Sequence, residues 1–399
     1  MTNDGEQRCR SRRRFLAAAS TAGIAGLAGC NGLFGSGGES TTTSTGNGSG
    51  TGNATNGTAG SAGQIGSGRS PFGDRNLEGG VSMAEMPELS GELTLYSGRG
   101  EPLVGTLIEY IEELYPDFAV RTKYGSAIEL VNLIQTEGQS SPADVFFSVN
   151  AGALGQLANA GRTTSLPEEI LDFVPQEFRD PSGNWVGTSG RARSVPYNTN
   201  QFSESDIPTK IMEFPNTEAL QGQMGWAPTY SSFQAFITAM RILEGEDATR
   251  QWLNGMQELG VQQYNDEFLV SQAVADGELA AGFANHYYTL RVQAGRANAP
   301  IALAFTENDA GSVFNVAGGA VVDTASDDTL AANFVRHLLS AEAQDYFARE
   351  TYEYPTVPEI EPLGRLPAID QLSPPEELDL TQLSELEETV SLLRDVGVL

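Results

Sequence analysis

The stretch GELTLYS (91–97) carries apolar residues at strand spacing, and the apolar positions after it, Leu103, Leu107, Ile108, Ile111 and Leu114, recur at helical spacing. FAVRTKY (118–124) predicts a second strand. Ser126 and Glu129 then form a capping-box pattern that opens a helix with Ile128, Val131, Leu133 and Ile134 apolar, and Gly138 closes it. ADVFFS (143–148) predicts a third strand, and AGALGQLANAG a further helix. Strands alternating with helices over short links predict a parallel sheet with helices on both faces.

The alternation resumes further on. SSFQAFITAMRIL (231–243) predicts a helix opened by a Ser231/Gln234 capping box, and ATRQWLNGMQELG another. VQQY is strand-like, EFLVSQAVADG helical, ELAAGF a strand, Asn285 to Ala297 a helix, and VFNVAGGAVVD a long strand. The C-terminal stretch of roughly 70 residues reads as largely helical. The expectation is an α/β chain of two lobes with a cleft between them. One phrase stands out, DGELAAGFANHYYTLR (276–291). Its adjacent Tyr287 and Tyr288 follow polar Asn285 and His286, so the pair falls at a strand-to-helix boundary rather than inside a packed run.

The N-terminus alters the domain estimate for the 399 residues. Arg12 and Arg13 precede Phe15, Leu16 and a run of small and apolar residues to Gly29. That run is too short and too rich in Ala and Gly for a durable membrane span, and it resembles a twin-arginine export signal. LAGC resembles a lipobox, with Cys30 as the lipidated mature N-terminus. Residues 1–29 are therefore read as a signal peptide and 30–88 as a flexible tether, mostly Gly, Ser, Thr, Asn and Ala up to about Gly68. Asn47, Asn53 and Asn56 head N-x-S/T sequons on that stalk. The only other cysteine is Cys9, so the globular part has no disulfide, thiolate metal site or catalytic cysteine.

Charge narrows the partners. The formal net charge is −29; with residues 1–29 set aside, 18 basic residues face 50 acidic ones, a net of −32. Lys123 and Lys210 are the only lysines. Such a surface excludes nucleic acid as a partner. Acids spread through the whole chain resemble the pattern of salt-loving organisms, where a Debye length of about 3 Å screens their repulsion. Enzyme signatures are missing: neither histidine lies in a G-x-S-x-G phrase, and no H-E-x-x-H or P-loop occurs. A hydrolase built on paired carboxylates is the remote alternative.

Six phrases in order, LYSGRGEPLV, EGQSSPADVFFSVNAGALGQLANAG, GRARSVPYNTN, APTYSSFQAFITAMR, AVADGELAAGFANHYY and GSVFNVAGGAVVD, resemble the periplasmic ferric-iron-binding proteins, solute receptors of ATP-driven iron importers. The resemblance runs from about 91 to 370. It implies a class II periplasmic-binding-protein fold. The first lobe would hold 89–193 plus about 318–370, the second 194–317 plus C-terminal helices at about 371–399. It also implies that Tyr287 and Tyr288 bind Fe(III) as phenolates, which suits a small, hard cation.

Two tyrosines leave coordination positions open. Where some family members carry a histidine, this chain has Arg99, Gly100 and Glu101; where some carry a carboxylate, it has Val149 and Asn150. The sequence better matches members that use a further tyrosine and an exogenous anion such as carbonate. Tyr230, just before the helix start at Ser231, is the first candidate for the third phenol, and Tyr197 is its competitor. The anion would lie among Ser231 and Ser232 at a helix start, Asn285, and the arginines, Arg193 before Arg99 and Arg191. His286 is expected beside the site without ligating, and His337 on a helix face. The implied partners are an ABC permease and its ATPase, met by a monomer tethered through lipid on the extracytoplasmic face of the cell membrane. A receptor of the same fold for a ferric chelate, organic cation or oxyanion is the alternative.

Overall fold

The computed structural model describes Ile65 and residues 79–399. The leader, Cys30 and the three sequons lie outside the described residues. The first strand, β1 (Gly91–Ser97), leads into helix α1 (Glu101–Leu114), which buries Val104, Leu107, Ile108 and Ile111. Next come β2 (Phe118–Tyr124), α2 (Ala127–Glu137), β3 (Val145–Ser148) and α3 (Ala151–Asn159). The Ser126 cap forms as expected, with Ser126 Oγ accepting from the Glu129 amide and Glu129 reaching back. β1 pairs in parallel with both β2 and β3, placing Leu95 opposite Val145.

After the short β4 (Thr163–Thr164) and α4 (Glu168–Leu171), the long strand β5 (Val186–Asn198) leaves this sheet and enters the second lobe. There follow β6 (Met224–Trp226), α5 (Ser231–Glu244), α6 (Glu246–Glu258), β7 (Gln262–Gln263) and α7 (Glu267–Asp276). β8 (Ala281–Gly282) and β9 (Ala284–Asn285) run straight into α8 (His286–Gly295), and β10 (Ile301–Ala304) ends the excursion. β11 (Phe314–Val322) crosses back, antiparallel to both β3 and β5. The remainder contains α9 (Asp328–His337), α10 (Ala341–Tyr346), β12 (Tyr354–Pro355) and α11 (Glu387–Asp395). It is less helical than the apolar spacing suggested: 352–386 is mostly turns and short 3-10 pieces, because prolines and acids there interrupt any continuous apolar stripe.

One twelve-stranded, mixed sheet thus runs through both lobes, with β5 and β11 as the crossing strands. The two largest of four apolar clusters among the described residues divide the chain accordingly. One gathers Met83 to Ala192 and Phe314 to Ile360; the other gathers Val195 to Val313 and returns at Leu378, Leu383, Leu392, Leu393 and Val398. The stretch read as tether is packed at its described residues: Ile65 is buried and accepts from Arg349 at 2.6 Å, Met83 and Met86 are buried, and Glu342 accepts from the Met83 amide at 2.9 Å. No described helix is long and apolar enough to cross a membrane.

Candidate functional site

The strand β9 is two residues long because Asn285 already caps the next helix, its φ of −71° and ψ of 144° extended while its successors turn. Tyr287 and Tyr288 therefore occupy the first turn of α8. Their rings lie 4.3 Å apart. Tyr230, immediately before α5, brings its hydroxyl to 2.5 Å from that of Tyr288. Hydrogen bonds join Tyr287 to Tyr288 as well, so three phenols from two helix starts form one cluster. Burial is the main cause that raises the Tyr287 and Tyr288 pKa values well above that of a free phenol, with Arg191 opposing it at Tyr287. Both are therefore neutral hydroxyls at ordinary pH.

The cluster opens on a cavity of about 430 Å³ between the lobes. Tyr230, Ser231, Ser232, Asn285 and Tyr287 border it from the second lobe, and Val149, Asn150, Gly152 and Asn315 from the first. Arg191 and Arg193, on the crossing strand β5, complete its floor. Arg193 is 2% exposed and its Nη1 is paired to Glu267, itself fully buried. Its Nε and Nη2 have no hydrogen-bond partner among the described residues, and neither has the buried Ser232 Oγ. Unpaired buried donors are costly, so this group is suited to an anion that accepts from them.

The predicted capping box at α5 does not form. The helix starts at Ser231, Tyr230 occupies the N-cap without a side-chain bond, and Gln234 Nε2 donates instead to the Pro228 carbonyl at 3.3 Å. With no side chain covering it, the positive end of the α5 dipole faces the cavity that Ser231 and Ser232 border.

Not every expected residue reaches the cavity. Tyr197 lies on β5 opposite Ala281 and Ala302, packed in the second-lobe core and absent from the cavity lining. Tyr197 has the same strand parity as Arg191 and Arg193 but lies four residues beyond Arg193, where β5 is already paired inside the second lobe. Arg99 is likewise placed elsewhere. Its guanidinium lies between the rings of Phe147 and Phe347 and pairs with Glu353 at 2.7 Å and Ser189 at 2.9 Å. Burial would raise the Glu353 pKa, but Arg99 and Arg191 more than reverse this and keep it ionised. Arg99 is thus consumed by a carboxylate far along the sequence, just before β12.

His286 is fully buried. Its Nδ1 accepts from the Ala192 amide at 3.1 Å, and Nε2 donates to the Tyr352 carbonyl at 2.9 Å. Burial pushes its pKa down to about 4, so the ring is a neutral strut between β5 and the first lobe. His337 sits away from the cleft, against Tyr115. Among the described residues no group of three or more His, Cys, Asp or Glu could hold a metal. Phenol oxygens are the donors the cavity offers.

Four contributors escaped the sequence reading. Glu267 holds Arg193 and accepts from the Asn285 amide at 2.9 Å. Asn315 borders the cavity from β11. Arg291 stacks over both phenols, 5.4 and 5.6 Å from their centroids, and its position one turn after Tyr287 was a legible signal. Leu383, Ser384 and Leu386 close one side from the far end of the chain, for which no local signal exists.

Comparison with known proteins matches residues 140–371 to the bacterial extracellular solute-binding proteins. The chain is 30% identical over 325 residues to the major ferric iron-binding protein of Neisseria meningitidis, covering 79% of this chain and 95% of that one. Its fold is similar to the iron-bound HitA of Pseudomonas aeruginosa, with a TM-score of 0.66 at 28% identity over 78% of this chain and 100% of that one. It is also similar to a Trichodesmium protein in complex with iron and citrate, with a TM-score of 0.65 at 25% identity over 77% and 99%.

Proposed function

The chain belongs to the bacterial extracellular solute-binding proteins, and on that premise we propose that it captures Fe(III) on Tyr230, Tyr287 and Tyr288 and delivers it to an importer. The observation that carries this reading is the cluster of three phenols in which Tyr230 and Tyr287 border the inter-lobe cavity and Tyr288, buried behind them, contacts both. Hard anionic oxygens suit ferric ion better than imidazole or thioether donors, and this cavity offers neither of those. Each phenol that binds releases its proton to solvent. Arg193, Ser232, Asn285 and the open start of α5 hold a small anion, carbonate or a comparable oxyanion, that fills the remaining positions. Cargo shifts the lobes toward closure only so far as it binds the closed form better.

The presentation of the receptor follows from its ends. Export by the twin-arginine route, acylation at Cys30 and the part of the tether that precedes the packed Ile65 would hold a monomer on the outer face of the membrane, within reach of a permease and its ATPase. The acidic surface suits a salt-rich medium. The chain acts as a carrier rather than an enzyme. A second reading, a ferric chelate of a small carboxylate as cargo, is favoured by the cavity volume of about 430 Å³, which exceeds what one ion and one carbonate occupy.

The test is a titration of the full chain with ferric nitrilotriacetate in concentrated salt, followed in the visible region. A tyrosinate-to-iron charge-transfer band that vanishes in Tyr287→Phe/Tyr288→Phe supports the site. A wild-type chain with no band rejects ferric cargo and leaves the fold to another solute.

A further inference from the structure

One wall of the cavity comes from a part of the chain beyond the 140–371 match, where Leu383, Ser384 and Leu386 border it. This stretch is rooted in the second lobe. Leu378 and Leu383 belong to that lobe's core, and just after them Thr389 Oγ1 lies 2.7 Å from Thr238 Oγ1 on α5. Its other side rests on the first lobe. The 3-10 turn Leu380–Ser384 lies along α3, and Leu380 packs against both cores.

The seat on α3 is cut to fit. A Cβ added at Gly152 would come within 2.2 Å of Ser384 Oγ, and one at Gly155 within 2.4 Å of Thr381 Cγ2. Glycine inside a helix is disfavoured relative to alanine, and here two of them stand less than one turn apart, where the strap lies. The first lobe meanwhile offers no anionic donor to the cavity. Metal ligation by itself therefore draws the second lobe to the cargo and leaves the first without a direct pull.

We propose that residues 378–386 form a strap that walls the cargo site, and that its fit on the Gly152/Gly155 face of α3 sets how readily cargo is reached and released. The identity of the cargo rests on the ferric reading above; the strap does not. While seated, it keeps competing chelators from the iron. For cargo to leave, it must lift from α3, which makes that face the element an outside partner would have to disturb.

The experiment uses the full chain, Gly155→Ala, and the size-swapped pair Gly155→Ala/Thr381→Gly, which returns the space that the new methyl takes. Each is loaded with ferric nitrilotriacetate, and loss of the band is timed after adding excess EDTA. Gly155→Ala should keep the position of the band, raise hydrogen exchange in 378–386, and release iron roughly tenfold faster, since such changes fall mainly on off-rates. The pair should return toward wild type. Unchanged release despite a loosened strap overturns the proposal, and so does unchanged exchange in the strap. Leu380→Ser tests the same contact from the strap side should Gly155→Ala not fold. If wild type shows no band, the ferric reading fails separately. The strap is then judged on the cargo-free chain by nitration of Tyr230 and Tyr287 with tetranitromethane. Faster nitration in the variant upholds the wall, and equal rates reject it.

Discussion

The two faces of the cleft are built differently. The second lobe presents Tyr230, Tyr287, an open helix start and two serines; the first presents Val149, Asn150, Gly152 and Asn315. The arginines belong to the strand that joins the lobes. One face is thus equipped to bind a hard cation with its anion, and the other to cover it. The contrast teaches that capture and enclosure are separable tasks here. On the reading proposed above, capture is local to two helix starts, whereas enclosure depends on the hinge and on a C-terminal strap.

The largest break in that contrast comes from removing the phenols. Changing groups that merely orient metal ligands costs about 10–100-fold in affinity, so Tyr287→Phe/Tyr288→Phe should weaken ferric binding beyond that range and abolish the visible band, with thermal unfolding little changed. Protons provide the same test without mutation. Burial holds Tyr287 and Tyr288 protonated far into alkali in the cargo-free chain. Ferric affinity should therefore rise with pH, by about tenfold per pH unit for each phenol deprotonated. Competition titrations at several pH values check it, and a pH-independent affinity would exclude phenolate ligation.

Acid should also act through a group outside the cleft, in addition to the buried His286 at the start of α8. Burial pushes the His337 pKa down to about 4 from an ordinary 6.5. The unfolded chain gains that proton first, so the stability tied to neutral His337 is full above about pH 6.5 and is lost as pH falls through 4. The loss is roughly 3 kcal/mol. His337→Gln should flatten this part of the stability profile, followed by denaturant unfolding from pH 7 to 4, and leave the band at neutral pH untouched.

Smaller changes sharpen the contrast between the faces. Asn150→Asp gives the covering face a carboxylate and should tighten ferric binding by about tenfold, or about 1.4 kcal/mol. Weaker binding would mean that this face never approaches the cargo. Tyr197→Phe is the smallest change. The band should keep its position and intensity, and stability should fall by no more than ~1 kcal/mol.

Much of the fold was legible in the sequence, and the reason is local. β1, β2, α2 and β11 carry their own spacing and end signals; Ser126 and Gly138 bound α2 where the capping pattern placed them. Expectations weakened where a side chain's fate depends on a remote partner. Arg99 was open to an anion until Glu353, 254 residues on, took it up. Gln234 read as half of a capping box, yet the helix begins at Ser231 and Gln234 bonds Pro228. Tyr230 was favoured over Tyr197 in sequence because it precedes a helix start, yet both stayed open. Only the direction of β5 and the approach of two helix starts separated them.

Taken alone, the sequence determined the alternation of strands and helices, the acidic surface, the lack of cysteine in the globular part, and the family whose phrases it carries. It also placed Tyr287 and Tyr288 at a strand-to-helix junction. These are properties of spacing and composition, which act over a few residues. The tertiary structure decided that Tyr230 joins them, that Arg193 is held by Glu267 with two donors to spare, and that 378–386 crosses the cleft. Each of these brings together groups far apart along the chain, and such contacts arise from packing two lobes around shared strands, which no local pattern encodes.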